Sequence, residues 1–180
     1  MPIKVKGLTL IELIVTLSIA TLVSFIAAPS MLKFIEKQKV SSDLLKVKSI
    51  IETARNHAIS NNSPIRICGL ENIPIKPEQN DIDCQRDWTR LNVFTLERSK
   101  KPELIHTHHL DGNYEQILWS SFQRKAYLQL QPNGFTNHQN GTLYLCHNRH
   151  QSLHRALSIS KSGRVTIHDA TDSIIQKCDN

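Results

Sequence analysis

Three histidines set close together, His106, His108 and His109, are the first residues whose type and spacing suggest chemistry. Imidazoles bind transition metals, and a metal site needs several donors converging on one point. On a strand His106 and His108 share a face while His109 takes the other, so local sequence assembles no three-ligand site. The reading is an exposed polar strand end, with no metal. Cys68, Cys84, Cys146 and Cys178 lack the CxxC spacing of zinc ribbons. They read as disulfides of a domain outside the cytosol, with three pairings open. The chain has no phosphate-cradling glycine loop, nucleophile elbow or HExxH sequence. No catalytic residue and no cofactor is therefore expected.

Charge gives a second signal. The formal net charge is +6 and the pI is near 9.3. From Gln116 to His168 there is no Asp or Glu, whereas Arg124, Lys125, Arg149, Arg155, Lys161 and Arg164 are present. His138, His147, His150, His154 and His168 are interspersed among them. A solvated basic face is the ordinary reading of such a run, and a polyanion partner is the alternative.

The elements that must carry these residues are legible from hydrophobic periodicity. A chain of 180 residues holds one domain plus an extra element. From Leu8 to Ala28 it is apolar but for Ser, Thr and one acid, Glu12. About 20 apolar residues span a hydrocarbon core of roughly 30 Å, so this segment reads as a transmembrane helix. A cleavable secretory signal fits less well, because Pro29 directly follows the small pair Ala27-Ala28 and an acid lies inside the run. The flanking charges, Lys4 and Lys6 before and Lys33, Lys37 and Lys39 after, set no orientation.

Beyond Pro29 the helix turns amphipathic. Val40, Leu44, Val47, Ile51, Ala54 and Ala58 form an apolar stripe, with Lys39, Ser42, Asp43, Lys46, Ser49 and Glu52 off it. Asn61-Asn62-Ser63-Pro64 ends the helix, which would run roughly 80 Å if continuous from Leu8. Period-two alternation follows in PIRIC, RLNVFTLE, AYLQL, GTLYLC, ALSIS and RVTIH, with turns at Asn133-Gly134 and Ser162-Gly163. Residues 69–90 read as loop, with Pro74 and Pro77. The expected class is α+β: a long N-terminal helix whose second half covers an antiparallel sheet. The divisions are 1–7, 8–28, 29–62 and 63–180.

Glu12 is the informative residue. An acid deep in lipid costs about 2.5–3.5 kcal/mol even on the lenient insertion scale, so it usually has a partner. It lies five positions after Gly7, which Lys4-Val5-Lys6 precede. This arrangement closely resembles the signature of type IV pilins and pseudopilins. The resemblance implies cleavage by a prepilin peptidase after Gly7 and methylation of the new terminus at Leu8, where the family more often has Phe. It also implies that Glu12 guides filament assembly. Physically, a free amino terminus beside Glu12 gives an ion pair that sets the register of stacked helices.

The second half resembles the GspH/FimT-type minor pilins. Ala54-Arg55-Asn56-His57-Ala58-Ile59 and Pro64-Ile65-Arg66-Ile67-Cys68 carry the likeness first. Distally it rests on Gly141-Thr142-Leu143-Tyr144-Leu145-Cys146, Ala156-Leu157-Ser158-Ile159-Ser160 and Ser162-Gly163-Arg164-Val165. The stretch 97–125 is left unmatched. The resemblance implies a pilin fold and a structural, non-enzymatic subunit of a type IV pilus or a type II secretion pseudopilus. Its partners would be the peptidase, sister pilins and an inner-membrane assembly platform. The chain would be a single-pass inner-membrane precursor with a periplasmic domain. Together with proximity in the chain, the resemblance favours pairing Cys68 with Cys84 and Cys146 with Cys178. The alternative is a filament-borne DNA receptor. DNA-binding relatives carry Gly-Arg-x-Arg, and here Gly163-Arg164-Val165-Thr166 keeps only the first arginine, with Lys161 two residues before the glycine.

Overall fold

The computed structural model describes residues 9–70, 82–97 and 101–179, with the side chains of 26–29 left aside. The loop expected around Pro74 and Pro77 falls outside the described residues. Helix α1 covers Leu10–Ser60. The chain divides into two compact units, residues 1–38 and 39–180.

In the first unit the helix opens at Thr9, whose Oγ1 accepts the Glu12 N–H at 3.3 Å, an N-cap bond. Leu10, Ile11, Leu13, Ile14, Leu17, Leu22 and Phe25 are all exposed. The hydroxyls of Thr16, Ser18, Thr21 and Ser24 donate to the carbonyls of Leu13, Ile14, Ser18 and Ala20 at 2.8–2.9 Å. These hydroxyls are thus satisfied within the helix itself. Among the described residues no single helix is long and apolar enough to cross a membrane; Leu10–Phe25 and Ser30–Ser60 reach that length and composition only together.

In the second unit the expected stripe is the buried face. Val40, Leu44, Val47, Ile51, Ala54 and Ala58 are each no more than 4% exposed. The helix stops as its sequence directs. Asn62 takes the left-handed φ of 47°, Ser63 N donates to Ala58 O and Asn62 N to Ile59 O, closing a Schellman motif.

Among the described residues two four-stranded antiparallel sheets follow, where the sequence pattern led us to expect one. The strands are β1 (Ile65–Gly69), β2 (Arg90–Thr95), β3 (Glu103–His109), β4 (Tyr114–Ser121), β5 (Tyr127–Leu130), β6 (Gly141–His147), β7 (Arg155–Ile159) and β8 (Val165–His168). One sheet has the order β3-β2-β1-β5 and the other β4-β6-β7-β8. Residues 85–88 stitch them together. Gln85 bridges Gly69 of β1, and Asp87 bridges Leu118 of β4. Trp88 N donates to Ile117 O at 2.8 Å, and Trp119 N donates to Arg86 O at 2.9 Å. The two indoles stack with centroids 4.8 Å apart. Ile65 and Ile67 of the first sheet, Leu143, Leu145 and Leu157 of the second, and the α1 stripe meet in one core.

The disulfides join Cys68 to Cys84 and Cys146 to Cys178, with Cα separations of 5.5 and 5.4 Å. The first fastens the entry to the Trp88 segment. The second fastens β6 to a C-terminal helix, α2 (Asp172–Cys178), that the sequence pattern did not suggest.

Asp43 departs from expectation. It is 2% exposed, lying between stripe positions rather than off them. Its Oδ2 accepts both the Gly112 N–H and the Tyr114 hydroxyl at 3.0 Å, and Lys46 Nζ stands 3.9 Å from Oδ1. Burial, together with the Asp43 carboxylate, pushes the Tyr114 phenol far above the ordinary tyrosine range. This bond set pins the turn between β3 and β4 to α1. Asp43→Ala strands two donors, and hydrogen bonds to charged groups contribute about 1.5–3 kcal/mol each. Urea unfolding of the Asp43→Ala chain should show a loss of about 2–4 kcal/mol, and Tyr114→Phe a smaller one.

Candidate functional site

Three places on the molecule hold residues singled out by sequence. The first is the start of α1. Gly7 and Leu8 lie outside the described residues. Glu12 sits in the first turn, and among the described residues nothing meets its carboxylate.

The second is the β7–β8 hairpin tip. Gly163 takes φ 76°, with Gly163 N donating to Ser160 O. A Cβ there would stand 2.6 Å from Gly134 O and 3.0 Å from Arg55 Cδ, so both conformation and close approach require glycine. Gly134 itself has φ 78°, and its carbonyl accepts Arg55 Nε at 3.0 Å. Lys161 O accepts the Thr136 N–H, which fastens the tip to the loop after β5. Lys161 and Arg164 are exposed on this tip, as is Thr166 on β8.

The structure does not bring Arg149 or Arg155 here. Gly141 pairs with Ile159, so Lys161 lies at the Gly141 end of β6, whereas Arg149 follows the opposite end. Arg155 opens β7 at that far end and pairs with Asp169 at 3.2 Å. Arg155 also donates to the carbonyls of Ser152 and His154. The tip therefore carries Lys161 and Arg164 with the half-buried Arg55 guanidinium packed beside them, without help from Arg149 or Arg155.

The third place collects histidines. His147 and His154, at 3% and 4% exposure, are core side chains. His154 Nδ1 accepts the His147 N–H at 3.0 Å, and His147 Nδ1 accepts the N–H groups of Arg149 and His150 at 3.2 Å. Each ring thus serves as an acceptor, a role only a neutral imidazole can fill at that nitrogen. They shape the β6–β7 connection beside the Cys146–Cys178 bridge. Sequence reasoning missed this role, though the buried Leu153 between them was a signal. His106 and His108 lie on β3 with their rings near-parallel, centroids 6.3 Å apart. No group of three or more His, Cys, Asp or Glu poised for a metal occurs among the described residues.

An N-terminal helix with a bare apolar start and an amphipathic continuation that closes a two-sheet β domain defines a pilin-type subunit. The chain matches the family described as Type II transport protein GspH over residues 46–163, more than half its length, and belongs to that family. Its fold is similar to two crystal structures of the type IV minor pilin FimU of Pseudomonas aeruginosa (strain PAO1). The space group P21 form gives a TM-score of 0.56 at 20% identity, covering 76% of this chain and 93% of that one. The P65 form gives 0.52 at 20% identity, covering 72% and 93%. Curated proteins give no match. The chain is thus a member of the pilin and pseudopilin superfamily with the α+β pilin fold, a family of structural subunits.

Buried His154 sets a pH response. Desolvation by burial holds the His154 imidazole below its ordinary value of 6.5, against the opposing pull of Asp179 and Glu115. The unfolded chain therefore binds the proton more readily, and stability falls as pH drops below about 6.5. Thermal melts between pH 7.5 and 5 should show the midpoint declining, and His154→Gln should lessen that decline.

Proposed function

We propose that this chain is a minor pilin or pseudopilin, a non-enzymatic filament subunit made as a single-pass inner-membrane precursor. A prepilin peptidase removes residues 1–7, Leu8 is methylated, and residues 8–28 anchor the chain while the second unit stays periplasmic. Assembly on an inner-membrane platform then packs the anchor among the helices of sister subunits. One observation carries this reading: from Leu10 to Phe25 the apolar side chains are bare while the hydroxyls turn back onto helix carbonyls. Such a surface suits lipid, or other helices, and not water. Glu12 supplies register, pairing with a free terminal amine of its own chain or a neighbour. Membership in a family described as Type II transport supports a secretion machine, and the likeness to a type IV minor pilin supports a pilus. Loss of exoprotein release in a deletion strain favours the first, and loss of twitching favours the second.

Intact-mass analysis of the membrane-expressed chain tests the processing. Co-expressed prepilin peptidase should remove Met1–Gly7 and leave one methyl group on Leu8; retention of the leader refutes the reading. Glu12→Ala should stay in the membrane fraction, since it removes the burial cost of an acid. It should be depleted from sheared filaments.

A second reading, a DNA receptor on the filament, is favoured by Lys161 and Arg164 standing exposed on one hairpin tip in an acid-free stretch. Non-specific affinity comes chiefly from neutralised phosphates, so such a small group of cations gives weak, salt-sensitive binding. Duplexes of unrelated sequence should shift alike in mobility assays. Lys161→Ala with Arg164→Ala should lower the affinity and flatten its salt dependence with the melting point unchanged. Unshifted DNA at high micromolar protein and low salt retires this reading.

A further inference from the structure

We propose that His106 and His108 form a two-imidazole site for a late first-row divalent cation, Zn2+ or Cu2+. The pair is placed by a bulge. β3 pairs with β2 through His106 opposite Val93 and Leu104 opposite Phe94, which leaves Ile105 as the extra residue. Simple alternation would put Leu104, His106 and His108 on one face. The bulge separates them. Leu104 packs with Phe94 and Cys68 in the small cluster on one face of the sheet, whereas His106 and His108 stand opposite Val93 and Leu91, members of the main core. Bulges re-aim side chains in this way and are frequent beside functional sites. Here the bulge turns two imidazoles off an edge strand toward α1.

The space they face is an open surface groove of about 490 Å³ that His106 and His108 line with Leu45, Lys46, Ser49 and Ile50 of α1 among others. His108 Nε2 is buried and without a hydrogen-bond partner, a group that calls for an explanation. The rings lie within 9° of parallel at 6.3 Å between centroids. Metal–imidazole bonds of about 2.0–2.1 Å lie in the ring plane, so each ring must turn out of this parallel arrangement about its χ angles to bring one nitrogen to a shared ion. Imidazole suits Zn2+ and Cu2+, and the carboxylate-preferring Mg2+ and Ca2+ far less. The ion would keep water at its remaining positions.

The field around the pair admits a cation. The charged groups acting on His108 are Lys46 from α1 and the neighbouring His106, opposed by Asp43 from α1 and Asp111 from the β3–β4 turn. Lys46 itself stands 3.9 Å from Asp43. His109 takes the opposite side of β3 and lies 3.5 Å from Asp111. Among the described residues Lys46 is the lysine that opposes a metal here, and its removal should help binding.

The test uses the untagged full chain in detergent, titrated calorimetrically with ZnCl2 alone. Wild type should bind one equivalent. His106→Gln with His108→Gln should lose that equivalent, and Lys46→Gln should tighten it by about tenfold. Electron paramagnetic resonance of the wild-type chain with one equivalent of Cu2+ should show two coordinated nitrogens. The proposal is overturned by an equivalent that survives the double substitution, by weaker binding in Lys46→Gln, or by no binding to wild type. Matching melting points for wild type and variants keep a folding defect from being read as lost coordination.

Discussion

The β domain of this protein depends on one buried stripe of aliphatic side chains along α1. Val40, Leu44, Val47, Ile51, Ala54 and Ala58 supply the third wall of a core whose other walls are two separate sheets. Neither sheet alone is closed, and neither shares a strand with the other. Full burial of each large aliphatic side chain contributes about 1.5–3 kcal/mol, so the helix is part of the domain and not a handle attached to it. Other features specify where the stripe sits. Asp43 fixes one end of the helix face through Gly112 and Tyr114, and Arg55 fixes the other through the Gly134 carbonyl. The hydrophobic contacts supply affinity between layers, and these polar contacts supply register.

Much of this was readable from the residues, for identifiable reasons. The stripe, the stop at Asn62 and the strands from Ile65, Arg90, Tyr127, Gly141, Arg155 and Val165 follow from periodicity, because each strand turns one apolar face into the main core; β2 buries its other face as well. Only the His106–His109 end of β3 was read, as a polar strand end; the rest was hidden, since an edge strand with a bulge exposes both faces and erases the period of two. β4 had a signal in Ile117 and Trp119, which alternate inward. The division into two sheets was invisible, because it is made by the short Gln85–Trp88 stitch rather than by any strand pattern. Asp43 was misplaced because polarity was taken to mean exposure. Its position three after Val40 and four before Val47 already put it on the buried face.

Charge reading is where linear sequence and folded surface part most. The acid-free stretch from Gln116 to His168 looks like a basic face when written out. In the fold its cations are dispersed or already engaged. Arg155 pairs with Asp169, an acid just beyond the stretch, and Arg149 stands at the end of the sheet away from Lys161. Outside the stretch, the Arg66 guanidinium lies 4.1 Å over the Tyr127 ring. What remains together is the pair on the β7–β8 tip. Its glycine is explained by backbone packing against Gly134, so Gly163 is no evidence for a ligand.

The arrangement of the stripe has a mechanical consequence. A pull along the axis of α1 loads the aliphatic contacts from Val40 to Ala58 together, as a lap joint in shear, instead of opening them one after another as a zipper would. The two disulfides extend this on the sheet side, since Cys68–Cys84 holds the stitch between sheets and Cys146–Cys178 closes the last strands against the C-terminal helix. Tension entering through the helix is therefore shared by both sheets before any single strand is asked to peel.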